Sequence, residues 1–229
     1  MKAPKAGGVA KRMFERLSPE RQREILLIAA EEFGRNGFRG TSYNRLLARA
    51  GLGKGSAYYY FADKQDLFLT VVTTRYCAFF DGLTDLPRPR SAASYWDFVE
   101  AMSRRGMELM RDDPTSAALI RCFAREGPAL DVPSSKELHE RVERYYADLV
   151  TLGQELRAVR CDVPFALLVE LARAHSTAFD QWFIATALPG GKPDISGLAR
   201  TFAELSRGLL APPYEGPAAA ILPKAVSAH

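Results

Sequence analysis

Apolar residues recur at spacings of three and four along most of this chain, a helical rhythm. In "SPERQREILLIAAEEFGRNGF", Ile25, Ile28, Ala29 and Phe33 share one face. Ser18 is placed to cap that helix, Pro19 and Glu20 to open its first turn, and Gly37 to stop it. "TSYNRLLARAGLGKGSAYYYF" starts at Thr41 or Ser42, turns Leu46 and Leu47 inward, breaks at Ala50-Gly51-Leu52 and restarts as a second short helix. Two short helices about a glycine-centred turn predict a helix-turn-helix. Leu67-Phe68, Val71-Val72, Phe79 and Leu83 then describe a long amphipathic helix beginning at Lys64, and "DLPRPRS" breaks the chain. Further helices are predicted at 92–111, 115–126, 135–160, 163–187 and 194–210. No segment has strand periodicity, so the class is all-α: an N-terminal three-helix helix-turn-helix domain followed by a larger helical domain. The predicted division is a mobile basic arm over 1–17, a helix-turn-helix over 18–64, helices over 65–210 and a disordered Pro/Ala-rich tail over 211–229.

Composition changes this picture little, charge a great deal. The chain is 47% apolar and 25% charged, ordinary for a globular protein of 229 residues. It lacks a bilayer-length apolar run and a signal-like start, which predicts a cytoplasmic protein without membrane attachment. Residues 1–64 hold 13 Lys+Arg against 6 Asp+Glu, whereas residues 65–229 hold 18 against 21. A basic module joined to a mildly acidic one points to a polyanion partner for the first. Cys77, Cys122 and Cys161 are odd in number and far apart, so buried inert thiols are expected and no disulfide or zinc framework.

The stretch "GLGKGSAYYYFADKQDLF" carries the sharpest chemistry. A helix that enters the major groove needs a slim exposed face, and Gly53, Gly55, Ser56 and Ala57 supply one. Lys54 is placed to reach a base edge or a phosphate. Tyr58 and Tyr60 are expected to face the DNA backbone, with Lys64 adding charge, while Tyr59 and Phe61 pack inward. A purely structural aromatic cluster would explain Tyr59 and Phe61 but not the remaining tyrosines and lysines.

The run "ILLIAAEEFGRNGFRGTSYNRLLARAGLGKGSAYYYFADKQDLF" resembles the DNA-binding domain of TetR-family transcriptional regulators. The likeness covers residues 20–68 and includes Ala-x-x-x-Phe, the Gly37 stop, Thr41-Ser42, the Ala-Gly turn, Lys-Gly, Tyr-x-Tyr-Phe and Lys64. It implies that Ser42, Tyr60 and Lys64 contact phosphates and that Gly53, Lys54, Gly55 and Ser56 lie over the bases. Thr41, Tyr43, Arg45 and Tyr58 complete the expected DNA-binding set. "NRLL" departs from the family's usual acidic or small residue followed by Ile-Ala: Leu47 enlarges a helix contact, and Arg45 is expected at a phosphate.

The resemblance also implies a homodimer on a near-palindromic double-stranded operator, released by a small-molecule effector. In the last helix Ile195, Leu198, Phe202, Leu205 and Leu209 form a stripe, and Ala174, Ala178 and Ala185 form a small-residue face beside Leu171 and Gln181. Both fit a dimer interface, although a stripe buried within one chain fits the sequence too. Trp96, Met102, Phe123, Tyr145, His175, Phe179 and Trp182 are the expected lining of an effector pocket, His175 being polar on the stripe Leu168, Ala172, His175, Phe179 and Trp182. They predict a hydrophobic or aromatic effector. No enzyme is expected and no cofactor or metal: "LPGGKPD" lacks the spacing of a phosphate loop, and His139, His175 and His229 are scattered. A sequence-nonspecific architectural DNA binder is the alternative reading.

Overall fold

The structure is a computed structural model describing residues 13–83, 86–126 and 133–213, all of whose regular elements are helical. Helix α1 spans Pro19–Gly40; Ser18 Oγ accepts the Arg21 N–H, and Gly37, at φ 73°, takes the chain out of helical geometry as the sequence predicts. Helices α2 (Tyr43–Arg49) and α3 (Lys54–Tyr60) follow, joined through Gly51 at φ 62°. The long α4 (Lys64–Asp81) leads into α5 (Ala92–Asp112), α6 (Pro114–Glu126) and α7 (Pro133–Glu155). Helix α8 (Phe165–Trp182) runs into a wider π turn (Phe183–Ala187), and α9 (Ile195–Leu210) closes the fold.

The element expected over 135–160 ends at Glu155 instead. There Gly153 O accepts the N–H groups of both Ala158 and Val159, and Arg157 turns the chain at φ 57°. The expected basic arm falls outside the described residues up to position 12, and the expected tail from position 214. Residues 13–17 are not mobile arm but a helical turn. Its Phe14 is buried 4.9 Å from the Phe61 ring, because an apolar ring beside the three-helix core has more to gain inside than in water.

One apolar core runs from the first helices into the larger part of the chain. Ile25, Ala29, Phe33, Leu46, Leu47, Ala57, Phe61, Leu67 and Phe68 pack with Leu119, Cys122 and Phe123 of α6. Gly34 permits this: a Cβ there would stand 3.1 Å from Ala118 Cβ, so α1 and α6 meet backbone to side chain. Two further clusters, one around Tyr95, Val150 and Leu168 and one around Met107, Met110 and Phe183, build the remainder.

The helical stripe of α9 is divided. Ile195 is buried, Leu198, Phe202 and Leu209 pack against the same chain, and only Leu205 is exposed. The stripe therefore serves mainly the protein's own core. On α8 and its π turn, Ala174, Ala178, Gln181 and Ala185 are all exposed and lie along one face. Cys122 is buried, its thiol pushed up to about 11 by burial and by Glu126, but Cys161 is exposed, against the expectation of three buried thiols.

Candidate nucleic-acid interface and ligand cavity

Helix α3 presents the exposed edge. Gly53, its N-cap, and Gly55 and Ser56 are exposed, and a Cβ on Gly55 would meet nothing within 4 Å. Ala57 belongs to the other side, fully buried, so the slim face is narrower by one residue than expected. The tyrosines divide differently as well. Tyr58 and Tyr59 are 61% and 66% exposed, whereas Tyr60 is half-buried, edge-on to Phe14 at 6.5 Å. Consecutive helical residues point about 100° apart, and Phe14 decides which of them is covered. Lys54 lies in the first turn of α3.

Helix α2 holds the unit together more than it reaches outward. Ser42 is exposed, its Oγ accepting the Arg45 N–H at 3.5 Å. Thr41 is buried instead, its hydroxyl donating to Glu32 O and Gly37 O at 3.1 and 2.7 Å, so it locks the end of α1 rather than facing solvent. Tyr43 buries its hydroxyl without a hydrogen-bond partner, and burial pushes its phenol up to about 12. Arg45 bonds Glu32 Oε2 at 3.2 Å, and Arg49 bonds both Glu32 and Glu31. Lys64 is likewise engaged: Nζ donates to Phe38 O at 2.9 Å and Thr41 O at 3.1 Å and sits 4.5 Å over the Phe38 ring. Thr41, Arg45 and Lys64 are thus internal fasteners in this conformation, because desolvated carbonyls and a buried carboxylate need partners, while Tyr43 is packed inward with its hydroxyl unpaired.

A cavity of about 390 Å³ lies among α4 to α9. Trp96, Met102, Phe123, Tyr145 and His175 line it, as expected from the sequence. Phe179 and Trp182 do not: Phe179 packs against Phe202 at 5.1 Å, and Trp182 is 45% exposed. His175 Nδ1 is 3.3 Å from Ser206 Oγ, its ring stacks on Phe202 at 4.7 Å, and its Nε2 is buried with no partner. Burial lowers its pKa, favouring the neutral ring.

The sequence reading missed Tyr76, Tyr146 and Asp180, which also face the cavity. Burial alone pushes the Asp180 carboxyl up to about 7. The doublet Tyr145-Tyr146 and a single acid on the otherwise uncharged run "AHSTAFDQWF" were the available signals. Among the described residues no three His, Cys, Asp or Glu are grouped to hold a metal, and no helix is long and apolar enough to cross a membrane.

Comparisons with known proteins agree with this geometry. Residues 25–71 match the family model of bacterial regulatory proteins, tetR family. An HTH-type transcriptional regulator of Bacillus subtilis (strain 168), YezE, is 27% identical over 122 residues, 52% of this chain and 59% of that protein. The chain therefore spans under two thirds of the length of that curated relative. A TetR family transcriptional regulator from Chloroflexus aurantiacus J-10-FL superposes with a TM-score of 0.65 at 20% identity, over 88% of this chain and 98% of the other. A TetR-like transcriptional regulator from Rhodococcus sp. RHA1 gives 0.60 at 19%, over 85% and 98%. At such identities the likeness is one of fold. Residues 25–71 thus form a helix-turn-helix domain of the tetR family of bacterial regulatory proteins, carried on a chain whose described residues have the fold of TetR-family transcription regulators.

Proposed function

We propose that the chain is a sequence-specific transcriptional repressor that binds a near-palindromic operator as a homodimer and leaves it when a small hydrophobic or aromatic effector fills the cavity. The exposed edge of α3, with Gly55, Ser56, Tyr58 and Tyr59 standing clear of the core, carries this reading. A helix with so little side chain at Gly53 and Gly55 approaches base edges closely, Lys54 extends the reach, and the two outward rings address the phosphate rails beside it. Ser42, exposed at the start of α2, and Tyr60, the last residue of α3, are the further phosphate contacts in this reading. The exposed face Ala174, Ala178, Gln181 and Ala185 suits close approach of a second copy, with Leu205 and Trp182 adding apolar area. A two-fold pair would set two recognition helices about 34 Å apart, one turn of duplex.

Selection of duplexes from a random pool with the full chain, followed by footprinting, tests the reading. The expected footprint is two half-sites related by two-fold symmetry and spaced by one turn. Random DNA competing as well as the selected sequence at physiological salt would favour an architectural binder instead. Ala178→Arg is expected to halve the mass seen by sedimentation and to abolish protection of the paired half-sites. A chain already monomeric without the substitution would rule out the dimer.

A further inference from the structure

Asp180 stands in a cavity lined largely by rings and aliphatic chains, where Arg121, Glu143 and Arg173 are the other charged side chains. It comes from α8 and faces Tyr76 of α4 and Tyr145 and Tyr146 of α7, whose phenols all feel its charge and are raised, mainly by burial. Among the described residues no hydrogen-bond donor and no cation reaches its carboxylate. The rings beside it are continuous: Tyr145 lies 5.3 Å from Tyr146 and 4.7 Å from Phe80, which lies 5.8 Å from Tyr76. Tyr145 and Tyr146 have their own polar partners, Met102 Sδ at 3.7 Å for the first and the Ser176 side chain for the second. Tyr145 and Tyr146 therefore do not discharge the acid.

We propose that the cavity takes a hydrophobic cation, with the Asp180 carboxylate as its counter-charge and the rings of Tyr76, Tyr145, Tyr146 and Phe80 as its cage. The proposal rests on the reading of this cavity as the effector site. Asp180 is half-buried in the cavity wall, and a carboxylate partly withdrawn from water without a partner is costly, a cost that an incoming cation relieves. Aromatic faces carry negative potential and hold a desolvated cation several times better than an exposed one. Together they distinguish a cation from a neutral molecule of the same shape. Arg121 and Arg173 also line the cavity, as do His139, Glu143 and His175. Arg173 is paired with Glu170 on its own helix, and no arginine contributes to the state of Asp180. His175 offers an unused nitrogen, which can serve a polar group elsewhere on the same ligand.

Benzyltrimethylammonium and its carbon isostere neopentylbenzene differ by one charge and almost nothing in shape. Titrated into the full chain, with quenching of Trp96 fluorescence as the readout, the cation should bind at least about tenfold more tightly at pH 8. Its affinity should rise about tenfold from pH 6 to pH 8, because binding requires the carboxylate ionised and the free group titrates near 7. Asp180→Asn keeps the shape and should close the gap between the two ligands and flatten the pH profile. Flattening assigns the slope to this carboxyl rather than to His139 or Glu143. Equal or tighter binding of the neutral isostere, or of 3-phenylpropanoate through Arg121, would overturn the cation and leave the effector site standing. Failure of all three ligands to bind at millimolar concentration would overturn both. A cation preference that survives Asp180→Asn would overturn the role given to the carboxylate.

Discussion

At the scale of single residues, the charges of the N-terminal unit do more holding than reaching. Glu32 is buried, and burial by itself would raise its pKa, yet hydrogen bonds and charge from Arg49 and Arg45 hold it below its ordinary value of 4.5. A depressed carboxyl stabilises the fold above about pH 4.5 and loses that contribution as acid protonates it. The two sides of the network are unequal. Arg49→Met strips the partner from Oε1 of a buried carboxylate, leaving Arg45 and Asn36 on Oε2, and is expected to cost about 2 kcal/mol in urea unfolding. Glu32→Ala instead frees Arg45, 58% exposed, to turn to water and leaves Arg49 its ion pair with Glu31, a loss of about 1 kcal/mol. The reverse order in the two unfolding midpoints would mean that the carboxylate is not the desolvated partner. Lys64 follows the same logic. Its resemblance-based role is a phosphate contact, but its ammonium already bridges two carbonyls at the end of α1. Lys64→Met should therefore lower stability by about 1–2 kcal/mol, read by urea unfolding, before any effect on DNA is counted.

At the scale of elements, α3 allows stability and binding to be separated. Gly55 sits inside a seven-residue helix with open space where a Cβ would be. Gly55→Ala is expected to stabilise the fold by about 0.5–1 kcal/mol, since alanine loses less backbone freedom in a helix. On the proposed reading the same methyl group stands against the bases, and operator affinity should fall about tenfold. Unchanged affinity in an anisotropy titration would remove α3 from the groove. Helices, caps and stops were legible in the sequence because each leaves a local mark: Ser18 before Pro19, Ser42 before Tyr43, Gly37 at the turn. The facing of short aromatic runs was not. Three successive tyrosines spread over most of a helix circumference, and the ring that covers Tyr60 belongs to Phe14, upstream in a segment that reads as a basic arm. The cavity was half legible for a related reason. Bulky residues such as Trp96 and Met102 announce themselves, whereas Asp180 matters only through Tyr76 and Tyr145, which are distant in sequence.

At the scale of the whole molecule, the proposed reading requires that a filled cavity reach α3. The direct route is α4, which starts at the helix-turn-helix and ends beside the cavity with Phe79 and Phe80. The structure supplies a second. One face of α6 gives the cavity Ile120, Arg121, Phe123 and Ala124, while Ala118, Leu119 and Cys122 pack towards α1 and the core around it. Its last residue, Glu126, accepts the Arg39 N–H at 3.1 Å beside the Gly37 turn, and a Cβ on Gly37 would come within 2.5 Å of Glu126 Oε1. A ligand that displaces α6 must therefore displace the end of α1, on which α2 is fastened through Glu32. Ligand and operator influence one another only as far as the two conformations differ in affinity for each, typically 5–150-fold. Glu126→Ala removes the fastening and leaves the cavity wall and the α3 edge untouched. We expect operator affinity without effector to change by less than about threefold, while the effector's power to weaken it drops at least about fivefold. Anisotropy titrations of the operator with and without saturating ligand measure both quantities. If the variant responds to ligand as the parent does, the displacement travels along α4 alone, and the contact between Glu126 and Arg39 only steadies the fold.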